Sequence, residues 1–558
     1  MLAASRRALC LVALIGTGVV PPSAAHAQAA VADLILTGGR IFTADSAHPW
    51  ATAIAIRGDR LLAVGTDAEI ERLRSRRSRH IALEGKVVVP GFNDAHAHLG
   101  GGIKATNFAT SDSPTPDPAL SVVLDSVTAI ARRTPAGTWI TTSVAESVLG
   151  DPMARRAALD RAAPRHNVYL LGWSGHGAIL NSAAIKASQI DTLHDPVGGW
   201  FERTPTGVIT GRIDEYLHFA LLQRLTIANG VPATVAAFAA QNGESAAFGI
   251  TSVQDMSTGF TPSMLHAVSR AGVLKIRHHV IPFEMTRVGG RAATWNGVRA
   301  TDALTRVSGV KWVLDGTPIE RLALMRAPYA DRAGWYGRGN FSLDSIKALL
   351  RDALRRRQQP MLHAVGDSTI ALVFTAMRAV APDSVWRAIR PRLEHGDQLM
   401  EDQFDDARKL GIVVVQNPTH LALSLLGDRW GPERASRSEA LRGIVAAGIP
   451  LAIGSDGPAN TGLNVMLASI NPANPAHALT REQAVIAYTL MSAYAEHAER
   501  EKGSLVAGKL ADLAVLSQDI FTVPPPAMPG TTSLLTIVGG RITRDALSTT
   551  TPGSRGRP

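Results

Sequence analysis

The sequence predicts an α/β chain built as a (β/α)8 barrel, with a small β-sandwich domain assembled from both ends. Three observations predict it. Eight short apolar runs between residues 87 and 458 alternate with amphipathic helical patterns, as parallel βα units do. Turn-punctuated β-rich runs fill residues 32–90 and return only at 503–543, and neither set is large enough to bury a core alone. Polar, reactive side chains stand at the carboxyl ends of the apolar runs along the whole span, the end where barrels keep their chemistry. An open doubly wound sheet is the rival, but no GxGxxG follows the first strand.

With 558 residues, 46% hydrophobic and 19% charged, the chain has the make-up of a folded protein with a sizeable core. At roughly 150 residues per domain the length suggests three or four domains, unless one barrel absorbs much of it. A single cysteine excludes a disulfide scaffold, a Cys-rich zinc module and an iron–sulfur cluster held within the chain. The formal charge of +10 is spread thinly over the length. Its densest run, Arg72 to Arg79, has no interleaved aromatics and reads as a solvated loop, so no nucleic-acid partner is expected.

Taken in order, residues 1–27 read as a secretory signal. Arg6 and Arg7 open it, Ala8 to Val20 is apolar but too short to span a bilayer, and Ala25-His26-Ala27 offers a cleavage pattern. The mature protein would start at Gln28, lose Cys10, carry no membrane span and be periplasmic or secreted. The Arg6-Arg7 pair leaves twin-arginine export open. Residues 28–90 then supply the first part of the β-domain, 91–490 the barrel, 491–545 the second part and 546–558 a disordered tail. The barrel strands are expected at 87–98, 167–176, 249–256, 309–317, 360–367, 392–397, 411–418 and 451–458. Helical patterns such as SLDSIKALLRDALRRRQQ (342–359) and EDQFDDARKLG (401–411) lie between them.

His96-Ala97-His98 ends the first apolar run. Residues two apart in a strand project from one face, so both imidazoles can enter the barrel mouth as a rigid half-site. His363 in PMLHAVGD, His395 in RLEHGD and Asp456 in LAIGSDG hold the same topological position on later strands, where packing alone would favour Val or Ile. Four His and one Asp make the N/O donor set of a catalytic divalent cation. Lys311 lies inside GVKWVLDG, and a lysine in a buried strand must be paired, with Asp315 or another carboxylate, or modified. His176 ends its strand as well. Asp94, Asp255, Asp315 and Asn417 are placed to orient ligands, and Glu394 should point away from the site if its strand alternates.

In this order, GFNDAHAHLG, HAVGD, LEHGD and GSDGP resemble the amidohydrolase superfamily, more narrowly amidohydrolase family 3. GSLVAGKLADLAVL (503–516) resembles the superfamily's closing signature, and NSAAI (181–185), after Gly175-His176, also matches family 3. The resemblance covers residues 32–543. It implies a metal-dependent hydrolase on a TIM barrel with a composite β-domain. Carried over by position, it implies that His96 and His98 bind the more buried metal and His363 and His395 a second. Asp456 would ligate the first metal and serve as general base. Lys311 stands where relatives carry a carboxylated lysine bridging two ions, and His176 matches a histidine near the substrate. The implied cofactor is a divalent metal, zinc before others, as one ion or as two if Lys311 is carboxylated.

The expected activity is hydrolysis of a non-peptide C–N bond in a small amide, N-acyl, N-formyl or cyclic amide substrate. Ester or carbamate hydrolysis by the same site is an alternative, as is a non-catalytic periplasmic binding or regulatory protein. Homo-oligomerisation is left open. Two segments depart from the family pattern: Thr141 to Gly150, and the stretch between Asp315 and Arg321, both where substrate loops would lie. Trp200, Trp335 and Trp430 are candidates to line a pocket.

Overall fold

The computed structural model describes residues 31–547, except 101–103, 109–117, 194, 285, 288–289, 292–294, 296, 299 and 301. The leader at 1–27, with Cys10, and residues 548–558 of the expected tail lie outside the described residues.

The run VVVPGFNDAHAH, expected as one strand, is two. Pro90 has no N–H to offer a ladder, and the chain changes sheets there. Val87–Pro90 sits mid-sheet between Leu513–Leu516 and Arg40–Phe42, in a six-stranded sheet completed by Ser533–Val538, Arg541–Asp545 and Trp50–Ala51. A second sheet orders Arg60–Gly65, Ala53–Arg57, Leu34–Thr37 and Arg79–Ala82. Leu34, Leu36, Ile54 and Ile56 share one buried cluster with Val88, Leu513, Val515 and Ile537, so the two ends of the described chain bury their apolar faces together.

Beyond Gly91 the architecture is mixed α/β. One parallel sheet orders Thr305–Val307, Arg277–Pro282, Ile250–Ser257 and Phe92–Ala97. The other orders Val310–Val313, Pro360–Ala364, Arg392–His395, Val413–Gln416 and Leu451–Ile453. Most of these strands are buried on both faces, which is why they read as continuous apolar runs rather than alternating ones. The sheets adjoin at both edges. Phe283 bridges Lys311 in parallel, and Asp456 N donates to His96 O at 2.9 Å. Helices cover the outside as their patterns require. Leu343–Arg355 is capped by Ser342, whose Oγ accepts from Ser345 N, and buries Ile346, Leu350 and Ala353. Phe404–Leu410 stops at Gly411, which takes the left-handed conformation at φ 67.

One expected strand belongs elsewhere. Asn167–Gly172 pairs with Trp139–Val144 and Gly177–Leu180 in a separate six-stranded mixed sheet, also holding Thr106–Asn107, Gly199–Arg203 and Ile209–Glu215. An apolar run of this length reports burial, not which sheet buries it. Two strands of the first parallel sheet lie outside the expected runs, the short Thr305–Val307 and the longer Arg277–Pro282. Polar residues disguise Arg277–Pro282, yet they are paired inside: His278 with Asn242 and His279 with Glu496.

Two local details set the strand that carries His96. Val253 pairs with Asp94 but Asp255 pairs with Ala97, so an extra residue bulges beside His96 and re-aims it. Gly454 packs directly on this bulge, and a Cβ there would lie 2.4 Å from His96 N. Gly454→Ala is therefore expected to lower unfolding free energy by about 1–3 kcal/mol, read by urea denaturation; wild-type stability would refute the close approach.

Candidate metal centre

Four carboxyl-terminal strand ends contribute the side chains expected of the site to one cavity. His96 and His98 come from Phe92–Ala97 and its continuation, His363 from Pro360–Ala364, His395 from Arg392–His395, and Asp456 from the turn after Leu451–Ile453. Asp456 is the hub. Its Oδ1 lies 3.3 Å from His98 Nε2 and 3.7 Å from His96 Nε2, and its Oδ2 lies 3.8 Å from both His395 Nδ1 and His420 Nε2. Two triads have ligand atoms mutually within 4.8 Å: His96, His98 and Asp456, and His395, His420 and Asp456. His395 and Asp456 adopt φ values of 70 and 45, a region that costs a non-glycine residue about 1–3 kcal/mol. That strain turns both side chains into the cavity.

The imidazoles are held from behind. His96 Nδ1 donates to Glu394 at 2.6 Å, His98 Nδ1 to Met256 O at 3.2 Å, His395 Nδ1 to Asn417 Oδ1 at 2.7 Å, and His420 Nδ1 to Asp397 at 3.2 Å. A carboxylate or carbonyl on Nδ1 fixes the tautomer that leaves Nε2 with a lone pair, the arrangement of metal-binding histidines. Burial, and then Lys311, pushes His96 down to about 4, so it is neutral near pH 7. Although burial opposes it, His96, His98 and His395 hold Asp456 well below the usual carboxylate range. The neutral rings of His96 and His395 beside an ionised carboxylate fit a divalent cation. The buried Nε2 of His363, without a hydrogen-bond partner among the described residues, adds a further unspent polar atom.

Lys311 is buried, and no described residue pairs with its Nζ; burial brings it down to about 8. The pairing with Asp315 is not formed. Asp315 instead accepts from the backbone N–H groups of Val365, Gly366 and Leu324. The site opens through two adjoining cavities of about 240 and 370 Å³. Trp173, His176 and His363 line both, Lys311 the inner one alone, and Ile319, Leu423 and His420 the outer alone. The inner one also takes Phe219 and Phe283 as apolar wall.

The model of the amidohydrolase family (Amidohydro_3) matches residues 79–544. The chain belongs to the amidohydrolase family. Protein LONG AFTER FAR-RED 3 of Arabidopsis thaliana is 28% identical over 92% of this chain and 91% of its own length. An N-substituted formamide deformylase of Arthrobacter pascens is 26% identical over 87% of this chain and 94% of its own. Among solved structures, an uncharacterized metal-dependent hydrolase from Pyrococcus horikoshii superposes with a TM-score of 0.68 at 19% identity, covering 88% of this chain and 99% of that one. This last likeness speaks to the fold.

Of the residues singled out in this amidohydrolase-family sequence, His96, His98, Lys311, His363, His395, Asp456 and His176 all line the inner cavity. His176 arrives not from a strand of the parallel sheets but from the loop before Gly177–Leu180, its Nδ1 donating to Glu215 at 3.1 Å. Asn417 orients His395, and Asp94 accepts from Ser455 N at 2.8 Å and His96 N at 3.2 Å. Asp255 accepts from Leu99 N at 3.1 Å. Glu394 does not turn away. The strand stops alternating at His395, so both residues reach the interior, and Glu394 lies between His96 and the fully buried Arg392. Trp200, Trp335 and Trp430 line neither cavity; Trp430 packs with Met325 and Tyr329. The two departing segments touch each other, Arg321 donating to Glu146 at 2.8 Å.

Two contributors escaped the sequence reading. Trp173 follows an apolar strand and forms cavity wall. His420 sits four residues after Val413–Gln416, past the strand-end position that the other cavity histidines occupy and behind Asn417-Pro418.

Against its burial, Arg392 and His96 hold Glu394 down to about 2. Its stabilising contribution is thus complete above the ordinary carboxylate pKa and lost as pH falls from about 4.5 toward 2. Glu394→Gln leaves Arg392 uncompensated and should cost about 3–5 kcal/mol at neutral pH. Denaturation against pH should show this acid-labile component in the wild type alone; parallel curves would refute the pairing.

Proposed function

We propose that this chain is an exported, metal-dependent amidohydrolase that cleaves a non-peptide C–N bond in a small amide, N-acyl, N-formyl or cyclic amide. The observation that carries the reading is the single ionised carboxylate, Asp456, lying 3.3 to 3.8 Å from the nitrogens of four imidazoles. We read the two adjoining parallel sheets as the arcs of a (β/α)8 barrel, and the two terminal sheets as a composite β-sandwich. The formamide deformylase activity named for the Arthrobacter pascens relative supports an N-acyl or N-formyl substrate.

His96, His98 and Asp456 would hold one ion, zinc being the first candidate, and His363 and His395 a second, with Lys311 joining them when carboxylated. When bound, such an ion acidifies water to near neutrality and polarises a carbonyl. The chain does the rest. Asp456 takes the proton from the attacking water and returns it to the nitrogen as the C–N bond breaks and the C–O bond forms. His176, fixed by Glu215, presents Nε2 to the substrate oxygen. The apolar wall of Phe219, Phe283 and Trp173 keeps bulk water from the reacting group.

The test is metal analysis with turnover of N-formyl and N-acyl amines. At least one equivalent of Zn, Mn, Fe or Ni is expected, with activity lost on chelation and regained on metal addition. Fewer than one equivalent and no regained activity would defeat the reading. Asp456→Asn should lower turnover by about 10²–10⁴-fold; near-native rates would remove Asp456 from the proton path. Export rests on residues 1–27, and mass spectrometry of the protein made in its host should find Gln28 at the amino terminus. An intact Met1 would count against export.

A further inference from the structure

We infer that the inner cavity is an acyl pocket, which takes an uncharged hydrocarbon group on the carbonyl carbon, so that the substrate is an N-acyl amine rather than an N-formyl one. This rests on the amide-hydrolysing reading above and narrows it.

Three observations converge. The two cavities share Trp173, Ser174, His176, His363, His395 and Asp456. The bond to be cleaved, beside His176 and Asp456, therefore lies where they meet, and the two halves of the substrate enter different cavities. Second, Phe219, Leu222, Phe283 and Val313 line the inner cavity alone. Phe219 and Leu222, three residues apart, share a face of the helix Tyr216–Asn229. Phe219 and Phe283 meet edge to face with centroids 5.2 Å apart. Tyr216 stacks on Phe283 at 5.6 Å, and its hydroxyl accepts from Val313 N at 2.9 Å, so the wall is braced. Third, the cavity has a direction. Glu215, which holds His176 Nδ1, immediately precedes the helix that carries Phe219, and the His176 and Phe219 rings meet edge to face at 5.6 Å. The imidazole that meets the carbonyl oxygen thus stands against the aromatic wall, and the group on the carbonyl carbon falls on that side. On the other side, Asp456 Oδ2 lies 3.8 Å from the Nε2 of His420, which lines the outer cavity alone. The nitrogen that Asp456 protonates faces that way, and its substituent occupies the outer cavity.

A formyl hydrogen would leave Phe219, Leu222 and Phe283 facing a gap, and a wall without partner atoms forfeits its dispersion contacts. Each methylene placed against that wall should strengthen binding about fourfold.

The experiment offers the zinc-loaded protein a series of acyl derivatives of one neutral amine, from formyl to hexanoyl. Each kcat/KM is divided by that substrate's own rate of alkaline hydrolysis, which removes intrinsic reactivity. The matching ketones, with CH₂ in place of the amide N–H, cannot be cleaved, and calorimetry gives their Kd. Both quantities should improve about fourfold per carbon until the pocket is full and then worsen. Leu222→Ala should move the optimum to a longer chain. Leu423→Ala, in the outer cavity alone, should leave the optimum where it is. If Leu222→Ala misfolds by circular dichroism, the wild-type ketone series and Leu423→Ala decide the matter. An optimum at formyl in both turnover and binding would overturn the acyl pocket while keeping the hydrolase. So would an optimum that shifts with Leu423→Ala and not with Leu222→Ala, which would put the acyl group in the outer cavity. Ketones that bind in the expected order, with no amide cleaved, would uphold the pocket and defeat the amide-hydrolysing reading instead.

Discussion

Behind the candidate metal centre, Arg392 and Glu394 form an ion pair from which water is fully excluded. The guanidinium meets the carboxylate through two nitrogens, at 2.7 and 3.0 Å, and donates as well to Ala95 O and to Gln254. Removing two such charges from water is costly, and only near-complete hydrogen bonding offsets it. The pair is therefore a constraint on geometry more than a source of stability. Glu394 spends its remaining capacity on His96, and Arg392 ties that strand to its neighbours. From Gln254 the polar thread continues through Asn93 to Glu496, where His279 and Lys502 close it. A one-residue slip of any participating strand would strand a charge in the core, so the thread specifies register where apolar packing alone would tolerate error.

Much of the site could be read from the residues because the physics there is local. A run of Val, Ile and Leu that ends in His or Asp marks a buried strand with chemistry at its end, and His96, His98, His363, His395 and Asp456 all follow that rule. The failures share a cause. Strand 167–172 obeys the same local rule but joins another sheet, and only long-range pairing decides that. Arg277–Pro282 was hidden because its polar groups find partners from distant segments. Glu394 was misjudged because alternation presumes extended backbone, and His395 leaves it. His420 was missed because it lies a few residues past its strand, brought back by a proline-led turn.

The outer cavity is less regular than the cluster around Asp456. Fixed groups on rigid strand ends surround Asp456, while the outer cavity is walled by loops: Trp173 from the inserted sheet, Ile319 and Leu423 from loops that follow parallel strands. Ser174 donates to Glu320 across this wall, and Arg321 to Glu146, so the inserted sheet is fastened to the parallel sheets at the rim of the entrance. Substitutions in these loops can reshape the entrance without disturbing the residues around Asp456, in keeping with the rule that one fold hosts many functions.

The division of VVVPGFNDAHAH between two sheets also bears on time. Val87–Pro90 finds one neighbour in Arg40–Phe42 early in synthesis, but its other neighbour, Leu513–Leu516, emerges from the ribosome long afterwards. Asn93, one turn of chain further on, waits for a partner 403 residues away. Contacts of such separation are slow to form, and the usual order in which amino-terminal units fold first is closed to this chain. His96 and His98 are thus made early, on a strand whose amino-terminal neighbour completes its pairing only when Leu513–Leu516 emerges.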